Sequence, residues 1–169
     1  SNGSAITLAA NTPTGNYTQQ ASNLTGSAAS NYLLASVGNT QGTLTINPAQ
    51  LTYSVANTTS TYGLLPTIGL LTLNGLLVSD QGNVTATVNA LDSNGFPINL
   101  ATNTPVGNYS QQASNLAGSA ASNYVLATVG NTQGRLTVNP APLTYSVTNT
   151  TSTYGTLPTL GALSLNGVL

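Results

Sequence analysis

The sequence predicts an all-β protein built of tandem β-sandwich units, and three observations carry that expectation. Apolar residues alternate with Thr, Ser and Asn over short runs. The runs are separated by clusters of Gly, Asn and Pro, which favour turns. The whole pattern then returns after 92 positions: residues 1–77 align without gaps on 93–169, with 59 of 77 positions identical. A 92-residue unit exceeds the roughly 20–45 residues of a solenoid rung and approaches the roughly 100 residues of a free-standing sandwich.

In chain order, alternation marks strands at residues 44–47, 51–55, 71–74, 84–88 and 98–100, with second copies at 136–139 and 143–147. Each places apolar side chains on one face and hydroxyl or amide side chains on the other. Gln41-Gly42, Asn74-Gly75, Gln81-Gly82-Asn83, Asn94-Gly95 and Gln133-Gly134 supply the turns. The Ser/Ala/Asn-rich segment 21–31 and its copy 113–123 read as either a loop or a short helical turn. No stretch carries a helical period with caps.

All eight tyrosines pair across the repeat, as 17/109, 32/124, 53/145 and 62/154. The differences between copies are conservative, such as Ile46/Val138, Leu33/Val125 and Ser36/Thr128. The natural joint between modules is Asn47-Pro48-Ala49-Gln50 and its copy Asn139-Pro140-Ala141-Pro142. Each lies between two predicted strands, and proline both removes a ladder donor and holds the preceding residue extended. The expected organisation is therefore the C-terminal part of one module (1–50), a complete β-sandwich module (51–142), and the N-terminal part of the next (143–169). Short Pro-bearing joints are stiff, so the modules are expected end to end, each adding on the order of 30–45 Å.

Composition narrows function sharply. Charged residues are 2 % of the 169, namely Arg135, Asp80 and Asp92, and the formal net charge is −1. Acid–base catalysis near neutral pH lacks its usual groups, so the chain does not read as an enzyme. One Arg cannot neutralise several phosphates, which excludes nucleic acid. His and Cys are absent, which excludes transition-metal sites built on them as well as disulfides. Neither cofactor nor metal is expected. No apolar run approaches the roughly 18 residues of a membrane span. With no leader visible, the chain reads as an interior piece of something larger or as a mature product.

The order Gly-x-Leu-Thr-[Ile/Val]-Asn-Pro-Ala (42–49, 134–141), Leu-Thr-Tyr-Ser-Val (51–55, 143–147) and Ser-Thr-Tyr-Gly (60–63, 152–155) resembles the MBG repeats of large bacterial surface adhesins. Gly-Asn-Tyr at 15–17 and 107–109, and Ala-Ser-Asn-Tyr at 29–32 and 121–124, resemble later strands of that family. The resemblance implies Ig-like β-sandwich modules in a secreted, extracellular array at the bacterial cell surface, acting as a stalk, adhesin shaft or biofilm filament. Its expected partners are further copies of the same repeat in a longer chain, with homotypic association in a fibre or bundle. The sequence departs from the family in its near-absence of Lys, Asp and Glu.

Asp80 and Asp92, twelve positions apart and each beside a turn, fall short of the six to eight oxygens that calcium takes and read as loop residues. Arg135 replaces Thr43 of the other copy, so no function shared by the modules rests on it. Tyr17, Tyr109, Tyr62 and Tyr154 are the candidates for a shared structural role, with hydroxyls bonded to backbone at corners; stacking on sugar rings is the functional alternative. Sequons at Asn2, Asn16, Asn23, Asn57, Asn83, Asn108 and Asn149 offer glycan sites in a secreted context. Intramolecular isopeptide crosslinks need Lys and are excluded.

Edge charges normally keep sheets from associating, and this chain has almost none, so its surfaces are expected to meet other surfaces. With few groups titrating, its stability is expected to stay nearly flat between about pH 5 and 8. The rival functional class is a carbohydrate- or ice-binding module presenting Thr and Asn faces, with Thr85-x-Thr87 placing two hydroxyls on one side of a strand.

Overall fold

The computed structural model describes residues 5–168, so the sequon at Asn2 lies outside the described residues. The secondary structure is β throughout, with no α-helix and three 3-10 turns among the described residues. The described residues form twelve strands: β1 (Gly15–Gln19), β2 (Gly42–Ile46), β3 (Ala49–Val55), β4 (Thr58–Thr61), β5 (Leu71–Asn74), β6 (Thr85–Leu91), β7 (Pro97–Ile98), β8 (Gly107–Ala117), β9 (Tyr124–Leu126), β10 (Gly134–Asn139), β11 (Thr144–Val147) and β12 (Leu163–Asn166). They make several small sheets: β1-β2, β4-β10-β8-β6-β7, β5-β3-β9 and β11-β12. The larger two are mixed, because β4 joins β10, and β9 joins β3, in parallel, while β10–β8 and β6–β7 are antiparallel.

The strands expected from alternation are present with shifted ends. The third begins and ends as read; the run at 98–100 is cut to Pro97–Ile98, and the run at 84–88 extends to Leu91. Five elements escaped alternation: β1, β4, β8, β9 and β12. The strand β8 is polar at Ser110, Gln111, Gln112 and Asn115, and Asn115 takes a left-handed backbone (φ 47°), which Asn tolerates better than most residues. The strand β4 is Thr-Thr-Ser-Thr, with no apolar residue to alternate. The strand β9 is three residues long. The undecided segment resolves into two parts in the second copy: strand up to Ala117, then a 3-10 turn at Ala121–Asn123. In the first copy only the turn, Ala29–Asn31, is formed.

By contacts the chain divides into two units: Ser1–Thr52 with Leu73–Ala86 and Asn115–Gly130, and Tyr53–Thr72 with Thr87–Ser114 and Asn131–Leu169. The first has a core of Leu51, Val84, Ala120 and Tyr124, flanked by Leu73, Leu76, Leu116 and Leu126. The second is centred on Ala90, Leu136 and Val138, against Ile68, Ile98, Leu100 and Tyr109. Leu51 and Leu136 are fully buried, each contributing about 1.5–3 kcal/mol by removal from water. In the second unit Gly69 lies so close to the Ala56 carbonyl that a Cβ would meet it at 1.8 Å. Its copy Gly161 stands at the same 1.8 Å from the carbonyl of Thr148, so the approach is built into the repeat.

Candidate functional site

The hairpins show how far the repeat is structural. The register of β1 on β2 (Gly15↔Ile46 to Gln19↔Gly42) is that of β8 on β10 (Gly107↔Val138 to Gln111↔Gly134), moved by 92 positions. Small side-chain bonds repeat with it. The Tyr17 hydroxyl donates to the Pro13 carbonyl at 2.7 Å, and the Tyr109 hydroxyl to the Pro105 carbonyl at 2.8 Å. Thr12 Oγ1 accepts from the Ala9 amide, and Thr104 Oγ1 from the Ala101 amide. Each bond closes a turn of four or five residues, so it needs only local sequence.

Tyr62 and Tyr154 sit in different surroundings. Tyr62 is about one-third exposed, and its amide donates to the Asn139 carbonyl at 2.8 Å. Tyr154 is fully exposed. At the joint, Asn47 and Pro48 separate β2 from β3, whereas Ala49 and Gln50 are the first residues of β3, paired with Tyr124 and Val125. In the second joint Asn139 ends β10 and Pro140, Ala141 and Pro142 are in no strand. A contact between the two repeats lies in the first unit: the Thr14 amide donates to Asn123 Oδ1 at 3.0 Å, and the Thr14 hydroxyl to the Ser122 carbonyl at 3.1 Å.

The two carboxylates play different parts, Asp92 within a turn and Asp80 across the fold. Asp92 Oδ1 accepts from the amides of Asn94 and Phe96, each at 2.9 Å, and so shapes the loop between β6 and β7. Asp80 accepts from Ser79 Oγ at 3.1 Å and from the Tyr124 hydroxyl at 2.7 Å. No group of three or more His, Cys, Asp or Glu that could hold a metal ion occurs among the described residues. Arg135 donates through Nε to Asn108 Oδ1 at 3.0 Å on the exposed side of β10. Thr85 and Thr87 are both exposed on β6, and the Thr85 hydroxyl reaches the Ala117 carbonyl at 3.4 Å.

Two buried polar side chains went unrecognised in the sequence. Gln111 is wholly buried. Its Oε1 accepts from the Gly69 amide at 2.6 Å, and its Nε2 donates to the Ala56 carbonyl and Thr58 Oγ1, each at 3.3 Å. The signal that could have found it is its place between Tyr109 and Ala113 at a period of two. Tyr124 is the other: its hydroxyl also accepts from the Leu77 amide at 3.1 Å. The hydrogen bond to Asp80, helped by burial, holds its pKa above the ordinary phenol value.

Tyr124→Phe is therefore expected to lower stability by about 1–2 kcal/mol, by stranding the Leu77 amide and the Asp80 carboxylate. The same change at exposed Tyr32 should cost almost nothing. A raised folded-state pKa means that the folded chain holds the phenol proton where the unfolded chain has lost it. The stabilisation is thus complete below about pH 10 and falls as pH rises through the folded-state value. Urea denaturation of wild type and variant at neutral pH and near pH 11 checks both statements.

No family model, curated protein or solved structure matches the chain.

Proposed function

We propose that this chain is a structural repeat segment of a secreted bacterial surface adhesin or extracellular filament, made of tandem Ig-like modules that act as a stalk or shaft. The observation that carries the reading is the repeat itself: two β1–β2-type hairpins of one register, 92 residues apart, each with its Tyr-to-Pro bond. Selection for a site acts on a few residues, whereas here 59 of 77 positions recur, turns and core alike. That is the mark of a part whose value lies in being repeated. The two carboxylates serve the fold, Asp92 by shaping a turn and Asp80 by holding the Tyr124 hydroxyl. A shaft rich in Thr, Asn, Ser and Gln keeps its stability across salt and pH, because it has little charge to screen or protonate.

Arrays of two, four and eight repeats, stretched singly, should unfold in equal steps that each release about 260–300 Å of chain, from 92 residues at roughly 3.3–3.6 Å each less the folded length. Electron micrographs of the same arrays should lengthen in proportion to repeat number. Arrays that fail to lengthen, or unfold in irregular steps, would sink the proposal. Glycan-array and ice-recrystallisation assays are expected to be blank; specific retention of a sugar would favour the binding-module reading instead.

A further inference from the structure

The two repeats are attached to each other at two points, and only one of them is the chain itself. The covalent link is short: β2 ends at Ile46 and β3 begins at Ala49, with Asn47 and Pro48 between them. The ring of Pro48 fixes its own φ and keeps Asn47 extended. Rotation about the remaining backbone angles still lets a single strand swivel.

The second attachment lies one strand away. Gly15 of β1 is paired with Ile46 of β2, and Tyr124 of β9 is paired with Ala49 of β3. The residues just before β1 and β9 therefore stand beside the point where β2 runs into β3, displaced by about one strand spacing of 5 Å. Those residues meet. The Thr14 amide donates to Asn123 Oδ1 at 3.0 Å. The Thr14 hydroxyl has one proton to give, to the Ser122 carbonyl at 3.1 Å or to Asn123 Oδ1 at 3.3 Å. All of these residues belong to the first unit.

Each side of the contact is held by its own repeat. The Pro13–Thr14 peptide is fixed at both ends: its carbonyl accepts the Tyr17 hydroxyl at 2.7 Å, and its N–H is the one that crosses. Opposite it, Asn123 closes the 3-10 turn Ala121–Asn123, with its own amide donating to the Ala120 carbonyl at 3.0 Å. The next residue, Tyr124, is part of the core. Donor and acceptor are thus both carried on fixed turns. This gives a common role to two recurring motifs that share no chemistry in the sequence, the Tyr of Gly-Asn-Tyr (15–17) and the Asn of Ala-Ser-Asn-Tyr (121–124).

We propose that Thr14 and the Ser122–Asn123 turn form the contact surface between consecutive repeats, a hydrogen-bonded strut beside the covalent one that fixes the angle at which one repeat follows the next. The partner that fits this surface is the following copy of the repeat in the same chain. Tyr17 is a positioning residue, because it orients the peptide that donates. The inference rests on the shaft reading for its purpose and on the contact itself for its geometry. In the second copy Val106 stands in place of Thr14, while the Tyr109 hydroxyl holds the Pro105 carbonyl in the same way. A joint made there keeps the amide bond and loses the hydroxyl's, so the joints of one array differ in stiffness by sequence.

Amide hydrogen exchange of the 169-residue chain should show Thr14 slowed about tenfold or more against an unstructured peptide. Because the chain has no cysteine, Thr18→Cys with Val125→Cys places one spin label on each repeat, both at exposed positions. The distribution of distances between the labels should be single and narrow. Asn123→Ala should broaden it and return the Thr14 amide to the unstructured rate. Asn123→Asp, which keeps an oxygen acceptor, should restore both. Thr14→Val, the residue the second copy already carries, should leave the amide slowed and broaden the distribution less. Asn31→Ala, the same truncation in the other copy, should change neither. A Thr14 amide that exchanges at the unstructured rate in the wild type, or a distribution as narrow in Asn123→Ala as in the wild type, overturns the proposal. Arrays that lengthen in proportion to repeat number alongside a freely exchanging Thr14 amide would end this inference and leave the shaft reading standing.

Discussion

Gln111→Ala is expected to destabilise the chain by about 3 kcal/mol, while Gln19→Ala, the same change in the same local sequence, changes stability by less than about 0.5 kcal/mol. Gln111 is fully buried and satisfies the buried Gly69 amide at 2.6 Å, together with the Ala56 carbonyl and Thr58 hydroxyl. Truncation leaves that amide without a partner, which costs about 1–3 kcal/mol, and opens a void where the side chain was, which adds further loss. Gln19 is exposed, so water replaces what truncation removes. Gln111→Glu sharpens the test. It keeps the volume but puts a carboxylate opposite the Ala56 carbonyl, and should be at least as damaging as Ala, by desolvation of the charge. Urea denaturation followed by tyrosine fluorescence reads all three.

The second large effect is in the apolar core. Leu51→Ala is expected to cost about 3–5 kcal/mol, in the range of fully buried leucines. Its copy Leu143, about half exposed, should lose less than about 0.5 kcal/mol in the dilute chain. Leu51 packs with Val84, Ala120 and Tyr124 and receives the Ala127 amide on its carbonyl. Leu143 precedes β11, whose partner is β12. Equal costs at the two positions would mean that the exposed face of residues 143–147 is covered within the chain.

Much of the candidate surface was legible as residues and little of it as a surface. Alternation located β2, β3, β5, β6, β10 and β11, because each has apolar positions two apart. It missed β4 because Thr-Thr-Ser-Thr has no apolar member, and β8 because its inward positions include Gln111. Tyr17 and Tyr109 were identifiable from their pairing across the repeat; Tyr124 was equally paired, but its partners Asp80 and Leu77 are more than forty positions away. Asp80 and Asp92 read as loop residues, and the structure gives each a specific set of donors that composition alone could not name.

What sequence by itself determined is everything that closes within a few residues or within one half-repeat. The turns, the Tyr-to-Pro bonds and the antiparallel hairpins β1–β2 and β11–β12 form even where the rest of the module is not beside them. Their partners are near in the chain and antiparallel strands need only a connecting loop. Tertiary structure alone decided the parallel pairs β4–β10 and β3–β9 and the burial of Leu51, Tyr53 and Gln111. Parallel strands must come from segments far apart, so identical residues pair in one copy and stand open in the other.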